Sequence, residues 1–357
     1  MSGDLSRIRI LDIARRADVS TGTVDRVIHN RGGVSSKTRE KVLSIIEEMN
    51  YQPDIFARTL ASRKTYRIAS LIPEASSDSE FWAWPLAGLK KAHDQVRHYG
   101  LSHDVFSFNY FNRQSFKIAA EKLLQSKPDG VIMAPVFADL AEDFVSRCEQ
   151  TNTAVVFINT NIFNLTKLSF IGQDSFRSGM VAAKLLDFGL KRNQSIYIVN
   201  IISEKGTNMH LISREEGFKS FFKDKAKKKR KIVSVNIQGN DLQKVYETLS
   251  GNLVGRSKHK KAGGIFVTNS RVFLVADFLK NMHITGFRLV GFDLLDVNIG
   301  HLQEGTIDFL ISQKPFEQGH RSYMTLFDHL VMKINIPTYQ YLPIDIITRE
   351  NIDYYSG

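Results

Sequence analysis

The sequence predicts an α/β protein with a small helical unit in front: an N-terminal three-helix helix-turn-helix headpiece and hinge, then two doubly wound parallel α/β lobes. Three observations carry this. The first 64 residues hold short amphipathic helices separated by a tight turn. From residue 67 onward, near-continuous apolar runs alternate with amphipathic helices, the pattern of parallel sheets covered on both faces. The conspicuous polar residues of this second part fall at strand ends and not mid-strand.

The headpiece reads element by element. Ile10, Leu11, Ile13, Ala14 and Ala17 give the first helix an apolar stripe, and Asp18-Val19 makes the turn. Ser20 stands where an N-cap hydroxyl can accept from the free amides of the next helix. Val24, Val27 and Ile28 must then face inward, which leaves Gly22, Arg26 and His29 outward with Thr21 and Asp25 on the flank. A short second helix with an outward arginine is the arrangement whose second helix can enter the major groove. A third helix, capped by Ser35 or Ser36, buries Val42, Ile45, Ile46 and Met49. Pro53 stops it, and residues 54–62 read as a hinge helix too polar to stand alone.

Asp12-Ile13-Ala14, Ala17, Val19-Ser20, Thr23-Val24, Arg26-Val27, Val34-Ser35, Thr38-Arg39, Val42, Tyr51-Gln52-Pro53 and Ala57-Arg58-Thr59-Leu60 form one ordered run. That run is similar to the DNA-binding headpiece of LacI/GalR-type transcription regulators. The resemblance implies DNA contact by Ser20, Thr21, Gly22, Thr23, Asp25, Arg26, His29, Asn30, Tyr51, Ala57, Arg58 and Leu60. Leu60 matches an apolar wedge that enters the minor groove at the operator centre. Two residues depart from the family pattern. Asp25 replaces a small hydroxyl residue that would touch phosphate, so its carboxylate is expected to accept from a cytosine amino group or to orient Arg26. Gly22 has no side chain for base reading, which shifts specificity onto Thr21, Arg26 and His29, with Arg26 on guanine as the main expected contact.

Beyond the hinge, strand-like runs lie at 67–72, 104–109, 130–136, 154–160, 195–202, 232–237, 263–269 and 288–293. Helices are expected near 85–98, 114–126, 138–150, 176–190, 213–223, 241–251, 272–281 and 316–332. Eight such units are too many for one small sheet, and two lobes with a cleft at the carboxyl ends of their strands fit better. This part resembles the ligand-binding core of the same regulators, which is shared with periplasmic sugar-binding proteins. The resemblance implies three crossings between lobes, expected near 161–163 or slightly later, near 292–295 and near 312–315. The expected organisation is a headpiece (1–52), a hinge (53–65) and a core (66–350). Within the core, one lobe would take 66–162 plus 296–313 and the other 163–295 plus 314–350.

A sugar presents apolar C–H faces and a ring of hydroxyls, so its site calls for aromatic plates and fixed polar side chains. Phe81, Trp82 and Trp84 follow the first strand, and one of the two tryptophans is expected to face the ligand. Gln173 and Asp174 follow the strand-like LSFIG; Asn269 and Asp293 end later strands; Gln313 precedes Lys314-Pro315. Arg214, three residues before Gly217, matches a sugar-binding arginine of the family, and its planar fork suits paired hydroxyls or a carboxylate.

Composition frames the function. The chain has 357 residues, 48 Lys+Arg against 37 Asp+Glu and a formal charge of +11, so an anionic partner is reasonable. Residues 1–64 hold twelve basic and eight acidic residues, an excess of four. Denser basic runs at 223–231 and 256–261 read as a solvated helix end and loop. A single cysteine, Cys148, excludes an intrachain disulfide and a cysteine-rich zinc site. The N-terminus has no signal-peptide pattern and no run is long enough to span a membrane, so a cytoplasmic protein is expected. No dinucleotide, phosphate-loop or nucleophile-elbow motif is present, and no cofactor or metal is expected. The resulting expectation is a homodimeric DNA-binding regulator, in the repressor sense, of a carbohydrate-utilisation operon. Its partners are double-stranded, pseudo-palindromic operator DNA and a sugar or sugar-acid effector. A nucleobase effector and an α/β sugar-processing enzyme are the alternatives.

Overall fold

The computed structural model describes residues 8–28, 31–49, 51, 64–76, 80–202, 209–223, 230–239, 241–254 and 262–355. The chain divides into two compact units, Met1–Ser62 and Arg63–Gly357.

The first unit contains helices α1 (Ile10–Ala17), α2 (Thr21–Ile28) and α3 (Ser36–Glu48). Ile13, Ala14, Ala17, Val24, Val27, Val42 and Ile45 form its buried core, with Ile28, Ile46, Met49 and Tyr51 packed against it. Leu11, expected in the stripe, is exposed. Helix α1 ends because Asp18 adopts a left-handed conformation (φ 55°), and the Val19 amide returns to the Ala14 carbonyl at 3.0 Å. The Ser20 hydroxyl accepts from the Thr23 amide at 3.1 Å, and Ser35 caps α3 by accepting from Thr38 at 3.2 Å. Each cap satisfies an amide that the first helical turn leaves without a partner.

The second unit is built on two six-stranded sheets. Its strands are β1 (Tyr66–Pro73), β2 (Leu101–Phe108), β3 (Gly130–Met133), β4 (Ala154–Ile158), β5 (Ser169–Gly172), β6 (Ser195–Ile202), β7 (Ile232–Gln238), β8 (Gly263–Val267), β9 (Phe287–Phe292), β10 (Phe309–Ser312), β11 (Tyr339–Tyr341) and β12 (Asp345–Ile347). Its helices are α4 (Ala83–Val96), α5 (Arg113–Gln125), α6 (Ala138–Gln150), α7 (Ser175–Gly189), α8 (Met209–Lys223), α9 (Leu242–Leu249), α10 (Val272–Asn281), α11 (Asp296–Glu304) and α12 (Pro315–Phe327). One sheet runs β11-β5-β4-β3-β1-β2 and is wholly parallel; the other runs β12-β10-β9-β8-β6-β7 and is parallel except at β12. The apolar runs are continuous because both faces are covered. In the second sheet Ile265, Leu289 and Leu310 enter one buried cluster, while their neighbours Phe266, Val290 and Ile311 enter another on the opposite face.

The lobes differ from the expected division. Strand β10 pairs with β9, so 296–313 belongs to the second lobe and the chain does not cross at 292–295. Helix α12 packs on α4 and β11 pairs with β5, so 315–341 returns to the first lobe. The three crossings are therefore Gln173–Asp174, Gln313–Lys314 and 342–344. Pairing partners, which periodicity does not encode, decide this. Close helix contact also contributes: a Cβ on Gly319 of α12 would lie 2.1 Å from the Pro85 carbonyl oxygen of α4. The side chain of Gln173 ties the crossings together by donating to the carbonyls of Ser312 (2.6 Å) and Pro343 (3.1 Å).

Candidate functional site: an inter-lobe cavity and a helix-turn-helix

Strand order reverses at β1 in one sheet and at β6 in the other, and a crevice opens beyond the carboxyl ends of the strands there. A cavity of about 60 Å³ occupies it. The first lobe contributes Phe81, Trp82, Tyr110 and Asn159; the second contributes Ile201, His210, Arg214, Asn269, Ser270, Arg271 and Asp293; Gln313 stands on a crossing.

Arg214 is held by backbone packing. A Cβ on Gly179 of α7 would lie 2.0 Å from the Arg214 carbonyl oxygen, so only glycine lets α7 approach α8 so closely. The guanidinium lies 3.7 Å over the Phe292 ring, donates to the Thr268 carbonyl at 2.7 Å and donates to Gln313 Oε1. Gln313 in turn donates through Nε2 to Asp293 Oδ2 at 2.7 Å. Arginine only donates and a carboxylate only accepts, so the Gln313 amide has one possible orientation between them. Asp293 leaves β9 with a left-handed backbone (φ 69°). Buried Asn298 pins the strand-end loops by donating to the carbonyls of Ser270 (2.9 Å) and Asp293 (3.1 Å).

Burial pushes the Asp293 carboxyl up to about 6, against the pull of Arg214. Burial also brings the Arg214 guanidinium down to about 10, with Asp293 opposing, so it stays charged at neutral pH. His210 accepts or donates through Nδ1 with the Thr160 hydroxyl at 2.9 Å. Desolvation and the Arg214 charge hold it well below the ordinary histidine range, so it is neutral. Two buried atoms of this array have no protein partner, Arg214 Nε and Asp293 Oδ1. A donor and an acceptor are thus left without partners in one array, and a hydroxyl, itself donor and acceptor, has the chemistry to satisfy both.

Of the expected effector residues, the fold gathers Phe81, Trp82, Arg214, Asn269, Asp293 and Gln313 at this cavity. Phe81 and Trp82 meet edge to face at 5.1 Å. Trp84 instead lines a neighbouring concavity with Phe316 and Tyr355. Gln173 is taken up by the crossings, and Asp174 caps α7 by accepting from the Arg177 amide at 2.9 Å. Asn269 also serves its own turn, donating to the Ile201 carbonyl at 2.7 Å. Tyr110, Asn159, His210 and Arg271 were missed. Tyr110, Asn159 and Arg271 follow strand ends, and that rule alone could have raised them.

In the first unit, Ser20, Thr21, Gly22 and Arg26 lie exposed on and before α2, while Thr23, Asp25 and Tyr51 are half-buried. Asp25 pairs with Arg31 at 3.3 Å, a partner the sequence did not suggest. His29, Asn30, Ala57, Arg58 and Leu60, and with them the hinge helix, lie outside the described residues, as does most of both basic runs.

Residues 9–54 match the family of bacterial regulatory proteins of the lacI type, and residues 68–333 match the periplasmic binding protein domain. The chain belongs to the LacI family. The family is one of transcription regulators and not of enzymes. This LacI-family regulator is 27% identical over 352 residues, 96% of each chain, to the protein named ribose operon repressor in Halalkalibacterium halodurans. Among solved structures it is similar to a Bacteroides fragilis protein assigned as a LacI transcriptional regulator, at TM-score 0.74 and 28% identity, over 82% of this chain and 100% of that one. The glucose-galactose binding protein GanP of Geobacillus stearothermophilus shares the fold, at TM-score 0.67 and 21% identity, over 81% and 99%. No helix among the described residues is long and apolar enough to cross a membrane.

Proposed function

We propose that this LacI-family regulator is a homodimeric repressor of a carbohydrate-utilisation operon, switched by a small sugar or sugar acid in the inter-lobe cavity. The observation that carries the effector class is the Arg214–Gln313–Asp293 relay, with its unpartnered donor and acceptor beside Phe81 and Trp82. The name of the ribose operon relative, aligned over nearly its whole length, points the same way. Two headpieces of a dimer read the half-sites of a pseudo-palindromic operator, with Arg26 as the principal base contact from α2 and Arg58 and Leu60 at the operator centre. Effector binding shifts the open and closed states of the two lobes in proportion to its differential affinity for them, and so changes how the hinges are presented.

The test has two steps. Duplexes are selected from a random pool with the full-length protein, and binding to the winner is followed by fluorescence anisotropy in the presence of sugars, sugar acids and purines. A palindromic consensus whose affinity responds to one sugar class is expected. Recovery of no consensus would overturn the operator assignment, and a response to purines alone would overturn the sugar assignment. The direction of the response tells induction from co-repression.

A further inference from the structure

A second concavity adjoins the effector cavity and shares His210 with it. It has a volume of about 460 Å³, within the range of small-molecule sites. Both lobes build it, Asn161, Phe163 and Tyr341 from one side and Phe176, Ile212 and Glu216 from the other. Two features there are costly unless something occupies them. The Asn161 amide has both its nitrogen and its oxygen out of water with no partner. Phe163, Phe176, Met209, Ile212 and Tyr341 are all large apolar side chains left exposed around one hollow, Phe163 by 66%. Buried amides are normally paired, and a cluster of exposed apolar side chains around a hollow marks a binding surface.

We propose that this hollow is a second ring subsite, so that the effector is a disaccharide or glycoside and not a free monosaccharide. This rests on the reading of the first cavity as a sugar site. One ring would lie against Arg214 and Asp293. The linkage would pass His210, which is neutral and offers its ring to either hydrogen-bonding role. The second ring would place its hydroxyls on the Asn161 amide and its apolar face on Tyr341 or Phe163. Aromatic faces with a paired donor and acceptor are the chemistry that recognises a sugar ring, whereas a protein partner would need a larger flat apolar area than one hollow supplies.

The experiment is calorimetric titration of the full-length protein with pentoses and hexoses and with disaccharides and phenyl glycosides containing the same rings. At least one two-ring compound is expected to bind about 10-fold tighter than its monosaccharide, the scale of one or two added hydrogen bonds. Asn161→Ala and the hollow-filling Ile212→Trp should abolish that gain and leave monosaccharide affinity unchanged; Phe163→Ala, at an exposed position where folding is not at risk, should reduce it. Monosaccharides binding as well as every two-ring compound would overturn the subsite and leave the sugar reading intact. Binding of no sugar would overturn both. A gain that survives Asn161→Ala and Ile212→Trp would place the second ring elsewhere, and a change in self-association of Phe163→Ala without any change in sugar affinity would make the hollow a protein contact.

Discussion

Arg214 concentrates the chemistry of the cleft in one side chain, because its fork serves a carbonyl, an amide and an aromatic face at once. A lysine keeps the charge but cannot hold three directions, so Arg214→Lys should weaken effector binding by about 10-fold to 100-fold, the loss of one or two charge-assisted hydrogen bonds. Titration calorimetry with the responding sugar reads this directly; undiminished affinity would remove Arg214 from the site. A second, half-buried group sets a pH dependence unrelated to the cleft. His103 bonds the Ser70 hydroxyl at 2.7 Å, and its ring packs near those of His93 and Tyr323. Burial, reinforced by His93 and opposed by Asp104, lowers its pKa to about 4. The unfolded chain therefore binds this proton more readily than the folded one between pH 6.5 and 4. The stability His103 supports is complete above pH 6.5 and is lost as pH falls toward 4, by about 3 kcal/mol at most. His103→Gln should flatten the fall of unfolding free energy across that window in chemical denaturation, and an unchanged slope would contradict the assignment.

Helix crossings are the elements that hold the site in place, and two glycines make opposite predictions. Gly179→Ala forces a Cβ against the Arg214 carbonyl, so α7 and α8 must part. The variant is expected to lose about 1–3 kcal/mol of stability and to bind effector more weakly, since Arg214 moves with its backbone. Gly300→Ala in α11 meets nothing within 4 Å, so helix propensity should raise stability by up to about 1 kcal/mol. Thermal melts of the two variants separate crowding from propensity; equal shifts would refute the crossing argument. Elements of this kind were legible in the sequence where a local rule governs them. The caps Ser20 and Ser35 and most of the continuous apolar strands followed from hydrogen-bond supply and periodicity; β10, a short apolar run, was not among the expected strands. Strands β11 and β12, three residues each with no apolar run, and helix α11, whose buried face is Asn298, His301 and Leu302, gave no such signal. The strand-end rule located the cleft residues as a class. It could not tell Gln173, which faces the crossings, from Asn159, which faces the cavity, because that depends on which strands neighbour one another.

At the scale of the whole core, Gln173, on the first crossing, bonds the chain at both of the others. Gln173→Leu leaves the Ser312 and Pro343 carbonyls without their donor at a cost of about 1–3 kcal/mol; if the lobes move about these crossings on binding, that cost falls differently on the free and bound states. Monosaccharide affinity should change by about 10-fold although no residue lining the Arg214 cavity is altered, together with a change in small-angle scattering between free and bound protein. Unaltered affinity and scattering would reduce Gln173 to a local tether. The return of α12 and β11 to the first lobe carries a consequence for synthesis. That lobe begins at Tyr66 but lacks its covering helix and edge strand until Tyr341 has been added. At about 5–20 residues per second, the ribosome takes roughly 15–55 s to span that interval. For most of it the Gly88 face of α4 awaits a helix not yet made, whereas every residue of the headpiece core lies within the first 45. The DNA-reading unit is therefore able to fold early in translation, and the sensing unit closes only as the chain is being finished.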